Sequence, residues 1–227
     1  RFRNSASALN LPLEFSDNEI KKIVAELLKN QREDAGIRFL LTGGYTEDSM
    51  SIGNPNFFIL VEKLLDYPEN IFTKGVKLIT CEFQRFMPGV KTTNYLNAII
   101  LQPKKKKENA FEILYHQNEL ISETARNNFF IVKNAALITP KENVLLGITR
   151  KVILEIAKQN KIKTEERKVK LSEIQIADEA FITGSSKGIV PVVQIDGKWI
   201  GNGKVGKTTQ KLKILFENHA IAGNNIR

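Results

Sequence analysis

The chain has 227 residues, of which 42% are hydrophobic and 26% are charged, as in a folded globular protein rather than a disordered or fibrous one. Its longest clean apolar run, from Phe57 to Val61, is far shorter than the roughly 20 residues of a membrane-spanning helix, so no membrane partner is expected. The net charge of +9 suits an anionic partner, either a nucleic acid or a phosphorylated small molecule, and does not choose between them.

The cysteine and histidine content argues against disulfides and metal. A single cysteine, Cys81, excludes an internal disulfide framework and favours a reducing compartment, so we expect a cytoplasmic protein. His116 and His219 lie far apart in the sequence, and no metal site is predicted. The chain begins at Arg1 without a methionine or an apolar signal stretch, and we expect further residues to precede it.

The first part of the chain alternates helical and strand patterns. Ser16 and Glu19 form a capping box, and apolar residues from Ile20 to Leu28 recur at helical spacing, which predicts a helix. Segments rich in β-branched and aromatic residues predict strands beginning at Ile37, Asn56 and Val76. The break at residues 87–89, Met-Pro-Gly, is the candidate boundary between domains of residues 1–87 and 88–227.

The second part combines more strands with two further helices. Helices are predicted from Thr149 to Gln159 and from Lys207 to Glu217, and Ser172 with Gln175 offers another capping box. Asp196-Gly197 predicts a tight hairpin turn. Strands are expected to begin at Ala110, Asn128, Ala136, Ala180 and Val190. The fold class is therefore mixed α/β with largely antiparallel strands.

A run of four lysines, Lys104 to Lys107, is the most basic segment. A basic cluster can neutralise nucleic-acid phosphates, so a basic nucleic-acid-binding protein stays open as an alternative from a different class. The run has no interleaved aromatic residues and follows Pro103, which predicts the end of a helical stretch. A solvated loop or helix end is the simpler interpretation.

Two glycine-containing turns are candidate phosphate sites. Gly147, Ile148 and Thr149 stand at the start of the predicted helix, where free backbone N–H groups and a partial positive charge favour an anion. The turn at residues 183–188 adds the hydroxyls of Ser185 and Ser186. Two such turns favour a phosphorylated ligand, although an ordinary helix cap explains either of them alone.

Lys91 and Glu123 are the candidate chemical groups. Lys91 follows Val90 and precedes an apolar helical stretch, so it could enter a partly desolvated pocket where its amine would form a Schiff base. The alternative is a solvent-facing lysine, which the abundance of lysines in the chain favours. Glu123 is a lone carboxylate in a neutral or basic stretch. It could pair with a protonated ring nitrogen or simply cap a turn.

The order of these segments resembles the class IV aminotransferases. These are pyridoxal-phosphate enzymes of fold type IV and include D-amino acid aminotransferase, branched-chain aminotransferase and aminodeoxychorismate lyase. The matching stretches are Lys91 to Tyr95, Glu123 to Phe130, Thr139-Pro140, Leu146 to Arg150, Ala177 to Ser185 and Pro191 to Gly197, together with Arg1 to Ala6. The resemblance covers essentially the whole chain. It implies a two-domain fold, an N-terminal segment before Arg1, and a homodimer.

The resemblance also implies a role for each matching residue. Lys91 would be the Schiff-base lysine and Glu123 the partner of the pyridinium nitrogen. Tyr95 lies near the ring in some members, although an ordinary helix tyrosine is equally compatible. The residues implied for the phosphate are Arg1, Ile148, Thr149 and Ser185. The implied reaction moves an amino group from an amino acid to a 2-oxo acid through pyridoxamine phosphate.

Departures from the family concern the substrate. Bacterial D-amino acid aminotransferases carry an arginine and a histidine that bind the α-carboxylate in a loop that here, at residues 43–50, has neither. Arg126, three residues after Glu123, could hold a carboxylate in two parallel hydrogen bonds, with Ser186 also at the substrate, or could pair with a surface acid. We therefore predict a D-amino acid aminotransferase. A branched-chain L-amino acid aminotransferase and aminodeoxychorismate lyase remain alternatives.

Overall fold

The structure is a computed structural model that describes residues 1–48 and 50–224. The chain forms two compact units. Unit 1 comprises Arg1–Asp66 and Val90–Thr92, and unit 2 comprises Tyr67–Gly89 and the chain from Thr93 onward. Residues 67–87, which the sequence analysis assigns to the first domain, fold with unit 2 because their strand pairs on both sides within the large sheet of that unit.

Unit 1 is a small α/β unit with a two-stranded antiparallel sheet. Its elements are α1 (Phe2–Ala8), α2 (Asp17–Leu28), β1 (Ala35–Thr42) and β2 (Asn56–Lys63). The predicted capping box is confirmed, since the Ser16 N–H donates to the Glu19 carboxylate at 2.7 Å and the Glu19 N–H donates to the Ser16 hydroxyl at 3.3 Å. Four rings, spaced 5.6–5.9 Å between centroids, form its aromatic cluster: Phe2, Phe15, Phe39 and Phe57.

Unit 2 is built on a ten-stranded sheet. Its strands are β3 (Val76–Glu82), β4 (Glu112–Gln117), β5 (Leu120–Thr124), β6 (Asn128–Lys133), β7 (Ala136–Pro140), β8 (Thr164–Arg167), β9 (Val169–Lys170), β10 (Glu179–Gly184), β11 (Gly188–Ile195) and β12 (Lys198–Trp199). Its helices are α3 (Asn70–Thr73), α4 (Leu96–Ile100), α5 (Gln102–Lys107), α6 (Ile148–Gln159) and α7 (Lys207–Asn224), with a 3-10 helix at Leu171–Ile176.

The strand order in this sheet is β8-β7-β6-β10-β11-β3-β4-β5-β9, and β12 pairs with β11. Three neighbouring pairs are parallel, β11/β3, β3/β4 and β7/β8, and the others are antiparallel. The mixed α/β, largely antiparallel prediction is therefore confirmed. One further pair, Glu123 with Asn128, joins β5 to β6 and closes six of the strands into a ring.

Strand alternation divides the buried residues of unit 2 between two hydrophobic clusters. Along β6, Phe129 and Ile131 belong to one cluster, while Phe130 and Val132 belong to the other. Phe130 stacks on Phe181 of β10 with ring centroids 4.8 Å apart, and α6 and α7 pack on this second cluster. Because α6 packs there through residues such as Ile153 and Ala157, its N-terminus has a fixed position in unit 2.

Local predictions had mixed outcomes. The hairpin turn is confirmed, because Asp196 and Gly197 both have positive φ, 49° and 77°. The lysine run is helical as part of α5, with Pro103 in the first turn, where a proline is tolerated. The second predicted capping box, Ser172 with Gln175, was wrong, because the Lys170 N–H donates to Glu173 at the start of the 3-10 helix. The same Glu173 carboxylate accepts hydrogen bonds from Arg167, which lower its pKa.

Within residues 1–48 and 50–224, none of the helices is long and apolar enough to cross a membrane. Within the same ranges, no three His, Cys, Asp or Glu side chains lie close enough together to bind a metal ion.

Candidate active site

Glu123 is a buried carboxylate with donors on both oxygens. Its residue is 4% exposed, and it lies on β5 at the closure of the six-stranded ring. The Arg85 guanidinium donates to Oε1 at 2.5 Å, while the Asn128 amide and the Leu145 N–H donate to Oε2 at 3.2 and 3.0 Å. A buried carboxylate stays ionised when it has such a cation and hydrogen bonds. Glu123 is therefore a fixed negative charge inside unit 2.

The N-terminus of α6 is held close to this carboxylate. The Asn128 amide, besides contacting Glu123, donates to the Leu145 carbonyl at 2.7 Å. Gly147, the N-cap residue, has no side chain, and a Cβ there would overlap the Asn128 Oδ1. Thr149 in the first turn is 6% exposed, and its hydroxyl makes no hydrogen bond to any other residue that the structure describes. Ile148, by contrast, has an exposed side chain.

The turn between β10 and β11 forms the next part of the site. Ser185 and Ser186 are exposed in this turn. A Cβ on Gly184 would lie 2.7 Å from the Asn127 Oδ1, so glycine permits the close approach of the turn to the β5–β6 connection. The Thr183 hydroxyl just before it is buried and has no hydrogen-bond partner among the described residues. An unpaired buried hydroxyl indicates that a polar group is missing from its surroundings.

Arg126 lies in the connection between β5 and β6. The Thr124 hydroxyl accepts the backbone N–H groups of Arg126 and Asn127 at 3.4 and 3.0 Å, which fixes the turn. The Arg126 side chain is 57% exposed, and its Nη2 lies 3.7 Å from the Glu112 Oε1. The acid that it pairs with is therefore buried, not the surface acid considered as the alternative.

Lys91 and Arg1 lie in unit 1, and the other candidates lie in unit 2. The Lys91 N–H donates to the Ser5 hydroxyl at 3.0 Å, and the Ser5 N–H donates to the Arg1 carbonyl at 3.0 Å, so Ser5 links the two segments. The Lys91 residue is exposed, and its place in a desolvated pocket stays a prediction. Tyr95 is half-buried at the N-cap of α4.

Arg85 and Asn128 are the two site residues that the sequence analysis did not assign a role. Asn128 is part of the family motif from Glu123 to Phe130, so the motif could have indicated that it belongs to the site. Arg85 is 38 residues from Glu123 in the chain, and no local pattern points to their contact.

Comparisons with known proteins identify the family. Residues 1–195 match the family model described as amino-transferase class IV. The chain belongs to this family. It is 34% identical over 230 residues to a predicted branched-chain-amino-acid aminotransferase of Methanocaldococcus jannaschii, covering 96% of this chain and 79% of the relative. It is 32% identical to the D-alanine aminotransferase of Staphylococcus haemolyticus over 226 residues, covering 96% and 80%.

Solved structures of class IV aminotransferases share the fold. The branched-chain amino acid aminotransferase of Escherichia coli superposes with a TM-score of 0.87 at 26% identity, covering 95% of this chain and 76% of that one. A predicted 4-amino-4-deoxychorismate lyase from Legionella pneumophila gives a TM-score of 0.82 at 26% identity, covering 96% and 82%. The fold type predicted from the sequence is confirmed. The protein is a transaminase whose cofactor is pyridoxal phosphate.

The groups around Glu123 in this aminotransferase fit the polar atoms of that cofactor. A buried, ionised carboxylate suits a protonated pyridine nitrogen. The α6 N-terminus, with the Thr149 hydroxyl beside it, suits a phosphate. The glycines at 147 and 184 leave room that a Cβ would fill. One unit therefore holds a carboxylate that can accept from the ring N–H, a helix N-terminus that can donate to the phosphate, and the buried unpaired hydroxyl of Thr183.

We predict that Gly147→Ala weakens cofactor binding. The new Cβ displaces the Asn128 amide, which then loses its hydrogen bonds to Glu123 and to the Leu145 carbonyl at the start of α6. Two weakened hydrogen bonds suggest a loss of about 1–2 kcal/mol, or roughly tenfold in the dissociation constant. Titration of the apoenzyme with pyridoxal phosphate, followed by absorbance, measures it.

The matched control is Gly36→Ala on β1, whose added Cβ would make only ordinary contacts at 3.5 Å. We expect wild-type cofactor affinity from this control. Equal affinity of the Gly147→Ala protein and the wild type would show that the Asn128 contacts do not shape the cofactor site.

Proposed function

We propose that the protein transfers the amino group of a D-amino acid to a 2-oxo acid such as 2-oxoglutarate or pyruvate. The observation that carries this proposal is the Arg126 side chain, which is more than half exposed on the turn that follows Glu123. A guanidinium binds a carboxylate through two parallel hydrogen bonds. The D-alanine aminotransferase relative supports the same assignment.

In the proposal, different residues bind the pyridine nitrogen and the phosphate of the cofactor. Glu123 keeps a proton on the pyridine nitrogen, and the α6 N-terminus at Ile148 and Thr149, with Arg1 and Ser185, binds the phosphate. Bound pyridoxal phosphate supplies a sink for the electrons released when the substrate Cα loses its proton.

Lys91 has two roles in the proposal. Its amine would hold the cofactor, and once released it would remove the proton from the substrate Cα and deliver it to the C4′ carbon of the cofactor. Arg126 and Ser186 orient the α-carboxylate, and Tyr95 stands beside the ring. The Arg85 guanidinium, 2.5 Å from Glu123, keeps that carboxylate ionised throughout.

A branched-chain L-amino acid aminotransferase is the second candidate, because the relative at 34% identity carries that name. Aminodeoxychorismate lyase is a third, in view of the similar Legionella structure. The exposed Arg126 favours a D-amino acid aminotransferase over a branched-chain L-amino acid aminotransferase. A purely aliphatic side-chain pocket gives no reason for an additional exposed cation on this turn, whereas a relocated carboxylate site does.

We predict that Arg126→Ala lowers kcat/KM for D-glutamate. Because the guanidinium is partly exposed, the loss should fall near the lower end of the range for charged hydrogen-bonded pairs, about 2 kcal/mol or roughly 30-fold. Arg126→Lys should recover only part, since an ammonium cannot reproduce the two-pronged geometry. Steady-state kinetics with the holoenzyme measure both variants, and the cofactor spectrum should stay that of the wild type.

The matched control is Arg38→Ala, which removes an exposed arginine paired with Glu62 at 2.8 Å on the unit 1 sheet. Wild-type kinetics are expected from it. Unchanged kcat/KM for D-glutamate in both Arg126 variants would remove the carboxylate site and favour the branched-chain function.

The proposal includes a homodimer that acts in the cytoplasm. Leu96, Ile99 and Ile100 of α4 are each 64% exposed, and an apolar surface of this kind suits a contact with a second copy. Cys81 is the single cysteine, and a chain that has no internal disulfide suits a reducing compartment. Sedimentation of the holoenzyme tests the dimer, and a monomer at micromolar concentration would contradict it.

A further inference from the structure

Glu112 is a buried carboxylate of unit 2 that has no role in the reaction proposed above. Its side chain is 8% exposed, and it opens β4. The Arg126 Nη2, at 3.7 Å, is its ion-pair partner among the described residues. A carboxylate this buried needs a cation, and here the cation is the residue proposed to bind substrate.

Strand register brings the two residues together. β4 and β5 are antiparallel, and Leu114 pairs with Thr124. Glu112 stands two residues before Leu114 on β4, and Arg126 stands two residues after Thr124, in the connection that follows β5. The pairing of β4 with β5 therefore brings the connection that holds Arg126 close to Glu112.

The backbone of Arg126 is held by a hydrogen bond, whereas most of its side chain is exposed. Its backbone is tied down through the Thr124 hydroxyl, and its Nη2 faces the Glu112 carboxylate. The side chain as a whole nevertheless remains 57% exposed. A planar guanidinium has five N–H donors, so one anchored nitrogen leaves others for a second carboxylate.

We propose that Glu112 is a positioning residue that orients the Arg126 guanidinium for the substrate α-carboxylate. This inference rests on the proposed role of Arg126. Holding the guanidinium in advance removes part of the ordering cost of binding, which lowers KM for the amino donor. Glu112 does not touch the reacting atoms, so kcat is expected to stay unchanged.

The test is a double-mutant cycle in the holoenzyme, with D-glutamate as donor at saturating 2-oxo acid. Glu112→Gln should raise KM for D-glutamate about tenfold, a coupling within the range for residues in contact, with kcat unchanged. In the Arg126→Ala background the same substitution should have no further effect on KM. Glu112→Asp keeps the charge one methylene shorter and should give an intermediate KM. Glu173→Gln, which removes another arginine partner in unit 2, should leave KM unchanged.

The outcomes separate the two proposals. A raised KM in Arg126→Ala with an unchanged KM in Glu112→Gln would overturn the positioning role alone, as would a Glu112→Gln effect that persists without Arg126. An unchanged KM in Arg126→Ala would overturn the carboxylate-binding role itself, and the positioning role with it. An unfolded Glu112→Gln protein leaves the decision to Glu112→Asp, whose KM must then exceed that of the wild type.

Discussion

Replacing Lys91 with alanine should abolish transamination while part of the cofactor stays bound. The proposed phosphate contacts at Thr149 and Ser185 do not depend on the lysine amine, so retention without turnover is expected. Loss of a positioned proton-transfer group alone costs about 10²–10⁴-fold, and loss of the covalent attachment adds to this. Steady-state rates with D-glutamate, together with the absorbance of the purified protein, measure the two effects.

Lys104→Ala is the matched control, because this lysine is exposed on α5 and has no role in the proposal. It should retain wild-type activity and spectrum. Turnover by the Lys91→Ala protein at the wild-type rate would remove Lys91 from the mechanism.

Glu123→Gln should slow removal of the Cα proton far more than it weakens cofactor binding. Glutamine preserves the shape of the side chain but removes the charge that keeps the ring nitrogen protonated. A barrier increase of several kcal/mol follows, at roughly 1.4 kcal/mol for each factor of ten in rate. The first half-reaction, followed by rapid mixing with D-glutamate, measures this rate directly.

The same substitution removes the Glu123 charge from the ion pair with Arg85, so folding stability must be measured in parallel. Breaking a buried pair costs about 3–5 kcal/mol, and a drop in the free energy of unfolding is expected. Glu173→Gln is the control, because it removes a carboxylate bound to Arg167 at 2.7 Å without touching the proposed site. A Glu123→Gln protein that keeps the wild-type half-reaction rate would make Glu123 purely structural.

Local sequence patterns predicted much of the fold. The Ser16 capping box and the Asp196-Gly197 turn depend on side chains and φ angles within four residues of one another, and both were confirmed. The strand β8, at Thr164–Arg167, was not predicted, because its charged sequence has no apolar alternation and the strand forms by pairing with β7 at the sheet edge. The membership of β3 in unit 2 likewise depends on pairing with distant strands.

In the candidate site too, local motifs were predicted and contacts between distant segments were not. The motif order was enough to single out Lys91 and Glu123, and the family assignment that it implied is confirmed. The contacts of Glu123 with Arg85 and of Arg126 with Glu112 were not predicted, because each joins two segments that are separated in the chain.

The most direct test of D-amino acid transamination is a rapid-mixing experiment on the holoenzyme without any 2-oxo acid. D-glutamate, D-alanine and L-leucine are each mixed with the enzyme, and the cofactor absorbance is recorded with time. The account predicts that the absorbance changes fastest with a D-amino acid and that the corresponding 2-oxo acid is released. A faster change with L-leucine, or no change with any of the three donors, would contradict it.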